Sequence, residues 1–290
     1  MSTPPRDPDR AGRRRPARAI DIPESRLVDM RSDLRARVLV AVPAVLVALT
    51  LVLAGGGVFA AGMFVLGAIC LHELFLMFAN AHPSRLGAFV ALAGLVVAAQ
   101  LGDQGDVLMA MVISFPVVFI LILLQPKGGA PGISVTVLGV AWIGLAVAHA
   151  VLLRRLPHGE AILIDILVGT FLGDTGAYIG GRALGRTKLA PRISPNKTLE
   201  GLGCGILTAV VAVWCAGLYQ DWMSGTDALM LGGAVAILAP TGDLFESYLK
   251  RDAGTKDTGR LFGAHGGALD RLDAVMFTVV GGYYVWLALL

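Results

Sequence analysis

Long apolar stretches separated by short polar ones dominate this chain of 290 residues. Nine such segments lie at about 38–54, 58–78, 86–101, 107–124, 133–153, 161–180, 199–219, 228–249 and 274–290. A bilayer-spanning α-helix needs about 20 apolar residues, and several segments are near the lower limit of length. Strands of a membrane barrel would alternate polar and apolar residues instead. The pattern therefore predicts an all-α, polytopic integral membrane protein with about nine transmembrane helices.

The composition agrees with this fold class. Hydrophobic residues make up 56% of the chain and charged residues 16%, whereas about 25% of a soluble domain is charged. The three cysteines, Cys70, Cys204 and Cys215, all lie inside apolar segments. We expect them to be small buried hydrophobic side chains, because their spacing indicates neither a disulfide framework nor a metal site.

Basic residues fall on one side of the predicted membrane. If the N-terminus is cytoplasmic, the inner segments hold 22 of the 24 Lys and Arg residues, and only Arg154 and Arg155 lie outside. Cytoplasmic segments of membrane proteins are enriched in Lys and Arg. We therefore predict an N-terminus inside and, after nine spans, a C-terminus outside.

The charges also suggest how the chain is divided. Residues 1–37 contain ten arginines and few apolar residues, which predicts a disordered Arg-rich cytoplasmic tail. The tail could contact anionic lipid headgroups or only set the topology, and the sequence leaves both open. Residues 38–160 are expected to form N-terminal transmembrane helices. Residues 161–290 form the region that carries the candidate chemistry, with two basic cytoplasmic loops.

One of these loops follows a run of charged residues at the end of the eighth segment. If the helix continues to about residue 250, Asp243, Glu246 or Ser247, and Lys250 share one face at spacings of three and four. An ionisable residue inside a membrane is a candidate functional residue. The alternative is a buried Asp–Lys pair that holds two helices together.

More carboxylates precede the ninth segment. Asp270 and Asp273 are three residues apart, and we interpret them as a poor helix cap and a plausible metal site. Mg²⁺ takes one or two protein carboxylates and keeps water and substrate phosphate as its other ligands. We therefore predict Asp243 and Asp270 as the first metal ligands, with Asp273 and Asp257 next.

The same loop is rich in residues that suit phosphate oxygens. Its cations are Lys250, Arg251, Lys256, Arg260 and Arg271. A solvated, topology-determining loop is the alternative explanation for such a cluster. The run His265-Gly266-Gly267 would let backbone N–H groups form an anion nest.

The other basic loop, at 181–198, lies between Asp174 and the seventh segment. Ser194, Lys197 and the free N–H groups of a helix start would make a phosphate site. The alternative is a helix cap formed by Ser194 or Thr198 with Glu200 nearby, and the two interpretations are compatible.

Several motifs resemble the signature of the phosphatidate cytidylyltransferase (CDP-diacylglycerol synthase) family. They are Asp174-Thr-Gly-Ala-Tyr, Lys188-Leu-Ala-Pro-Arg-Ile-Ser-Pro-Asn-Lys-Thr, Ser247-Tyr-Leu-Lys-Arg, Lys256-Asp-Thr-Gly and Phe262-Gly-Ala-His-Gly-Gly-Ala-Leu-Asp-Arg-Leu-Asp. The resemblance covers roughly residues 40–290. Ala268 departs from it, because the family usually has a larger aliphatic residue there.

The resemblance implies that CTP and phosphatidic acid are converted to CDP-diacylglycerol and pyrophosphate at the cytoplasmic side of the cell membrane. It implies Mg²⁺, leaves a second, monovalent cation open, and indicates a homodimer within the lipid bilayer; no nucleic acid is expected as a partner. Asp243, Lys250 and Asp270 would be catalytic, and Asp243, Asp270 and Asp273 would hold the metal. Substrate contacts would come from Asp174, Ser194, Lys197, Arg251, Lys256, Asp257, His265, Gly266, Gly267 and Arg271.

Two other functions fit parts of the sequence. A CTP-dependent lipid or polyprenol kinase would share the substrate class, but the complete run of motifs argues against it. A cation- or proton-coupled transporter could use Asp165, Asp174 and Asp243 as a relay. The polar residues gather at one face of the membrane, which argues against transport. Glu73, inside the second segment, is expected to make a structural hydrogen bond.

Overall fold

The computed structural model describes residue 43, residues 45–259 and residues 266–290. The tail predicted at residues 1–37 and the candidate residues Arg260 and His265 lie outside the described residues.

Helices account for most of the described chain. In order they are α1 (Val45–Ala54), α2 (Gly56–Met77), α3 (Arg85–Leu101), α4 (Gln104–Leu123), α5 (Ala130–Arg155), α6 (Gly159–Leu184), α7 (Leu199–Gly217), α8 (Gly225–Asp252) and α9 (Leu269–Leu289). Seven of these described helices are long and apolar enough to cross a membrane, whereas α1 and α3 are shorter. The prediction of an all-α polytopic membrane protein is confirmed. The number of spans and the side of the N-terminus stay predictions.

Short polar motifs mark where helices begin. Asp103 and Asp106 form a reciprocal capping box at the start of α4, and Ser224 and Asp227 form another at the start of α8. Each box satisfies backbone N–H groups that have no partner within the helix. A π-helical turn at Val140–Gly144 interrupts the hydrogen-bond pattern of α5.

Helices α6 and α7 pack closely because small residues face each other. A methyl group placed on Gly205 would lie 2.8 Å from the Cβ of Ala177, and one on Gly173 would lie 3.0 Å from the Cβ of Ala209. Small residues let membrane helices approach closely and gain van der Waals contact. Helix α8 packs against α7 and α9, so the region after residue 159 forms one helical group.

The loop predicted at 181–198 has more structure than expected. Helix α6 continues to Leu184, and an antiparallel hairpin follows, formed by β1 (Lys188–Ala190) and β2 (Ser194–Thr198). Glu200 accepts hydrogen bonds from the backbone N–H groups of Arg186 and Thr187, at 3.0 and 3.1 Å, which ties the hairpin to the start of α7.

The capping alternative for this segment is confirmed for Thr198 only. Its hydroxyl accepts a hydrogen bond from the backbone N–H of Gly201 at 3.1 Å, at the start of α7. Ser194 lies in β2, four residues earlier, and does not cap the helix.

Candidate active site

Lys250 joins the last turns of α8 to the first turn of α9. Its Nζ donates to the carboxylate of Glu246 at 2.5 Å and to that of Asp270 at 3.0 Å. The Lys250 and Asp270 side chains are only 14% and 11% exposed, and that of Glu246 is 1% exposed. Helix α8 extends to Asp252, so the predicted shared face of Asp243, Glu246 and Lys250 is confirmed.

Asp270 lies in the first turn of α9, which begins five residues earlier than the apolar pattern indicated. Its carboxylate accepts hydrogen bonds from the backbone N–H groups of Gly267 at 2.7 Å and Thr258 at 3.0 Å. Both donors precede the helix, so Asp270 does not cap the free N–H groups of α9, and its interpretation as a poor cap is confirmed. The carboxylate is fixed in place by these donors and by Lys250.

A second cation–carboxylate pair lies one to two turns earlier on α8. Lys197, on β2, forms an ion pair with Asp243, and the hydroxyl of Ser247 donates to Asp243 at 3.4 Å. The side chains of Lys197 and Asp243 are 27% and 30% exposed. Both pairs therefore involve α8, one through the hairpin and one through α9.

The region around the Lys250 and Lys197 ion pairs contains more carboxylates than lysines. The carboxylate of Glu246 lies close enough to that of Asp273 for their negative charges to repel, and the same holds for Asp273 and Asp243. Asp174, exposed on α6, interacts with Asp243 and with Lys197. Within the described residues, Oε1 of Glu246 is buried and has no hydrogen-bond partner.

An excess of close carboxylates in partly buried surroundings favours a bound cation, because isolated buried charge is costly. No group of three or more Asp, Glu, His or Cys side chains in the described part of the chain is arranged to enclose a metal ion. Mg²⁺ needs only one or two protein carboxylates when water and phosphate complete its coordination. At most two of the carboxylates in this cluster would then contact the ion, and water and phosphate would supply its other ligands.

The remaining predicted site residues are spread around this cluster. Arg251 is exposed, and its Nε donates to the backbone carbonyl of Ile193 at 3.2 Å, at the tip of the hairpin. Lys256, Asp257 and Arg271 are also exposed. Lys256 and Asp257 make no hydrogen bond or ion pair with the cluster among the described residues.

Gly266 and Gly267, predicted to bind an external anion, instead lie next to the carboxylate of Asp270. Gly266 has a φ of +84°, and a Cβ there would lie 2.5 Å from a carboxylate oxygen of Asp270. The backbone N–H of Gly267 donates to the same carboxylate. In this structure the nest predicted for an external anion therefore faces Asp270.

Two further residues of this site, Glu246 and Glu73, are not predicted as site residues from the sequence. The sequence relates Glu246 to Lys250 only through their helical spacing. Glu73, on α2, is 4% exposed and accepts hydrogen bonds from the backbone N–H groups of Ala268 and Leu269 at 3.0 and 2.9 Å. The structural hydrogen bond expected for Glu73 is confirmed, although no local signal indicated its partners.

The fold and this cluster define a class of protein. It is a polytopic membrane protein with ion pairs of lysine and carboxylate at one end of its helices, and these lysines are suited to binding phosphate groups. A sequence model of the cytidylyltransferase family matches residues 35–289. The chain therefore belongs to the cytidylyltransferase family.

Relatives of known sequence agree with this membership. The chain is 32% identical over 253 residues to the phosphatidate cytidylyltransferase of Staphylococcus epidermidis, covering 85% of this chain and 96% of that protein. It is 32% identical to the phosphatidate cytidylyltransferase of Synechocystis sp. in an alignment of 294 positions, which covers 88% of this chain and 97% of that protein. It is also 36% identical over 165 residues to the uncharacterized protein YnbB of Escherichia coli, covering 55% of each chain.

Proposed function

We propose that this protein transfers the cytidylyl group of CTP to phosphatidic acid and so makes CDP-diacylglycerol and pyrophosphate for phospholipid biosynthesis. The support is the family membership together with two relatives of that name, which align over most of both chains. The observation that carries the proposal is Lys250, held between Glu246 and Asp270 beside the Lys197–Asp243 pair.

The reaction makes specific demands on such a site. An oxygen of the lipid phosphate forms a bond to the α-phosphorus of CTP, and the bond from that phosphorus to the bridging oxygen of the β-phosphate breaks. The electron pair leaves with pyrophosphate. Because the lipid phosphate is already anionic, no strong general base is needed. The main difficulty is to bring two polyanions together and to neutralise the charge that develops.

The two lysines suit this task. Each ammonium group forms an ion pair with at least one carboxylate of the chain. A substrate phosphate could bind the same ammonium group, either beside that carboxylate or in its place. Lys250 is fixed from two sides and would contact the phosphates at a defined position. Lys197 and Arg251 lie at the hairpin and would contact phosphate oxygens from the more exposed side.

Mg²⁺ is part of the proposal. One or two of the carboxylates of Asp243, Asp270 and Asp273 would hold it, and when bound it would neutralise phosphate charge. A chelator such as EDTA should abolish cytidylyl transfer, and added Mg²⁺ should restore it. Transfer that continues at full rate in excess EDTA would contradict this part of the proposal.

The decisive assay uses purified protein in detergent with labelled CTP, dioleoyl phosphatidic acid and Mg²⁺. We expect an organic-soluble cytidine lipid and one pyrophosphate for each lipid formed. A phosphorylated lipid with free CDP would indicate a kinase instead. Absence of any lipid product, from protein that is folded, would contradict the proposal.

We propose further that the site faces the cytoplasm, where CTP is found, and that two copies form a homodimer. Helix α7 separates exposed Thr187 from exposed Asp221, so these positions report on opposite ends. In a variant without Cys70, Cys204 and Cys215, Thr187→Cys should react only in permeabilised cells and Asp221→Cys in intact cells. The opposite labelling would invert the topology. Mass measurement in lipid nanodiscs tests the dimer.

A further inference from the structure

The start of α9 lacks a capping side chain of its own. Its N-cap residue is Ala268, which has no side-chain acceptor for the free N–H groups of the first turn. Glu73 supplies this acceptor from α2: one carboxylate oxygen accepts from the N–H of Ala268, and the other accepts from that of Leu269. A carboxylate at a helix N-terminus is also favoured by the helix dipole.

Thr258 connects this cap to the candidate catalytic carboxylate. Its hydroxyl donates to Glu73 at 3.3 Å, and its backbone N–H donates to Asp270 at 3.0 Å. Asp270 follows Leu269 directly, so its position depends on where the first turn of α9 begins. Glu73 therefore binds the two backbone N–H groups just before Asp270, together with the hydroxyl of Thr258, the residue whose backbone N–H binds Asp270.

The glycines around Glu73 show how closely this carboxylate is enclosed. A Cβ on Gly259 would lie 2.6 Å from one carboxylate oxygen, and a Cβ on Gly267 would collide with the other oxygen and with the hydroxyl of Thr258. Position 267 therefore needs glycine because the carboxylate of Glu73 and the hydroxyl of Thr258 occupy the space of a Cβ atom. Any larger residue there would displace Glu73 from its two backbone donors.

We infer that Glu73 is a positioning residue for cytidylyl transfer, which holds the first turn of α9 and Thr258 so that Asp270 meets Lys250. This inference rests on the proposed function. Glu73 lies on α2, in the N-terminal part of the chain, and so couples those helices to the site formed by α8 and α9. A displacement of about 1 Å in a reacting group can reduce a rate about 100-fold.

The charged carboxylate is needed because all three of its partners donate hydrogen bonds. Glutamine has the same shape, but its NH₂ group would face an N–H of the α9 start and leave a buried donor unpaired. Glu73→Gln is therefore a conservative variant that disturbs the cap. Glu160→Gln is a matched control, because Glu160 pairs with Arg154 at 2.8 Å and its side chain is 52% exposed.

The test measures steady-state kinetics and amide hydrogen exchange on full-length Glu73→Gln, Thr258→Val and Glu160→Gln proteins in detergent. We expect kcat per folded Glu73→Gln protein to fall about 10- to 100-fold, with KM for CTP changed less than about threefold. Thr258→Val, which keeps its backbone N–H, should lower kcat by a smaller factor. Amide exchange at Thr258 and at residues 267–269 should rise in Glu73→Gln, and Glu160→Gln should match the wild type.

A purely structural role gives a different result. In that case Glu73→Gln lowers the thermal midpoint, but kcat per folded protein stays within about threefold of the wild type, and the inference is overturned. If Glu73→Gln does not fold, an unchanged kcat in Thr258→Val overturns the inference and a reduced kcat supports it. If wild type and Glu160→Gln make no cytidine lipid, the proposed function fails, and the exchange at 267–269 alone decides whether Glu73 holds the α9 start.

Discussion

The two lysines of the site lie in different surroundings. Lys250 contacts two carboxylates, Glu246 and Asp270, and its side chain is only 14% exposed, whereas Lys197 forms one ion pair among the described residues, with Asp243, and is 27% exposed. A buried charge that loses its partner costs far more than an exposed one, because water cannot compensate. We therefore expect Lys250 to serve both the fold and the reaction, and Lys197 to serve the reaction mainly.

The largest expected effect comes from removing a carboxylate charge, and it should be similar near Lys250 and near Lys197. Asp243→Asn and Asp270→Asn each keep the side-chain shape and remove the charge that a metal ion needs. Each should lower cytidylyl transfer about 1,000-fold or more, which corresponds to about 4 kcal/mol of activation free energy. The measurement is kcat of the purified variants. A loss of less than tenfold in both would contradict the metal assignment.

Lys250→Ala should separate the two regions. It leaves the buried carboxylates of Glu246 and Asp270 without their ammonium partner, so the free energy of unfolding should fall by about 3 kcal/mol. The rate per folded protein should fall about 100-fold or more. Thermal unfolding and single-turnover transfer measure the two effects.

The control for Lys250→Ala is Lys127→Ala, since Lys127 is an exposed lysine outside the site. It should leave both stability and rate near those of the wild type. Equal losses in the two variants would mean that the site needs general positive charge and no particular lysine.

Lys197→Ala should lower the rate about tenfold and leave the thermal midpoint almost unchanged. The pair with Asp243 is more exposed, and such pairs contribute about 1 kcal/mol or less to stability. A thermal midpoint lowered as much as in Lys250→Ala would remove the distinction between the regions.

The smallest effect should come from the support of the hairpin. Glu200→Gln weakens the hydrogen bonds from the N–H groups of Arg186 and Thr187, which place β1 and β2 beside α8. We expect a loss of rate of about two- to fivefold, mainly through a higher KM for CTP. An unchanged KM would indicate that the hairpin position is set by other contacts.

Much of the arrangement on α8 was predictable. Helical spacing places Glu246 and Lys250 within reach of each other, and capping motifs indicate where α4 and α8 begin. The hairpin was not predictable from apolar periodicity, because β2 carries polar residues and a proline and shows no alternation. The start of α9 was placed too late because its first turn contains charged residues.

The sequence by itself determined the class of fold and the chemical kind of site, since hydropathy, helical spacing and motif order are properties of neighbouring residues. Only the tertiary structure decided which charges meet. The bond from Ala268 to Glu73 joins residues 195 positions apart, and Lys250 and Asp270 belong to different helices. Such contacts depend on how helices pack against each other. Packing is governed by the combined shape and polarity of whole surfaces, and no local pattern in one sequence records it.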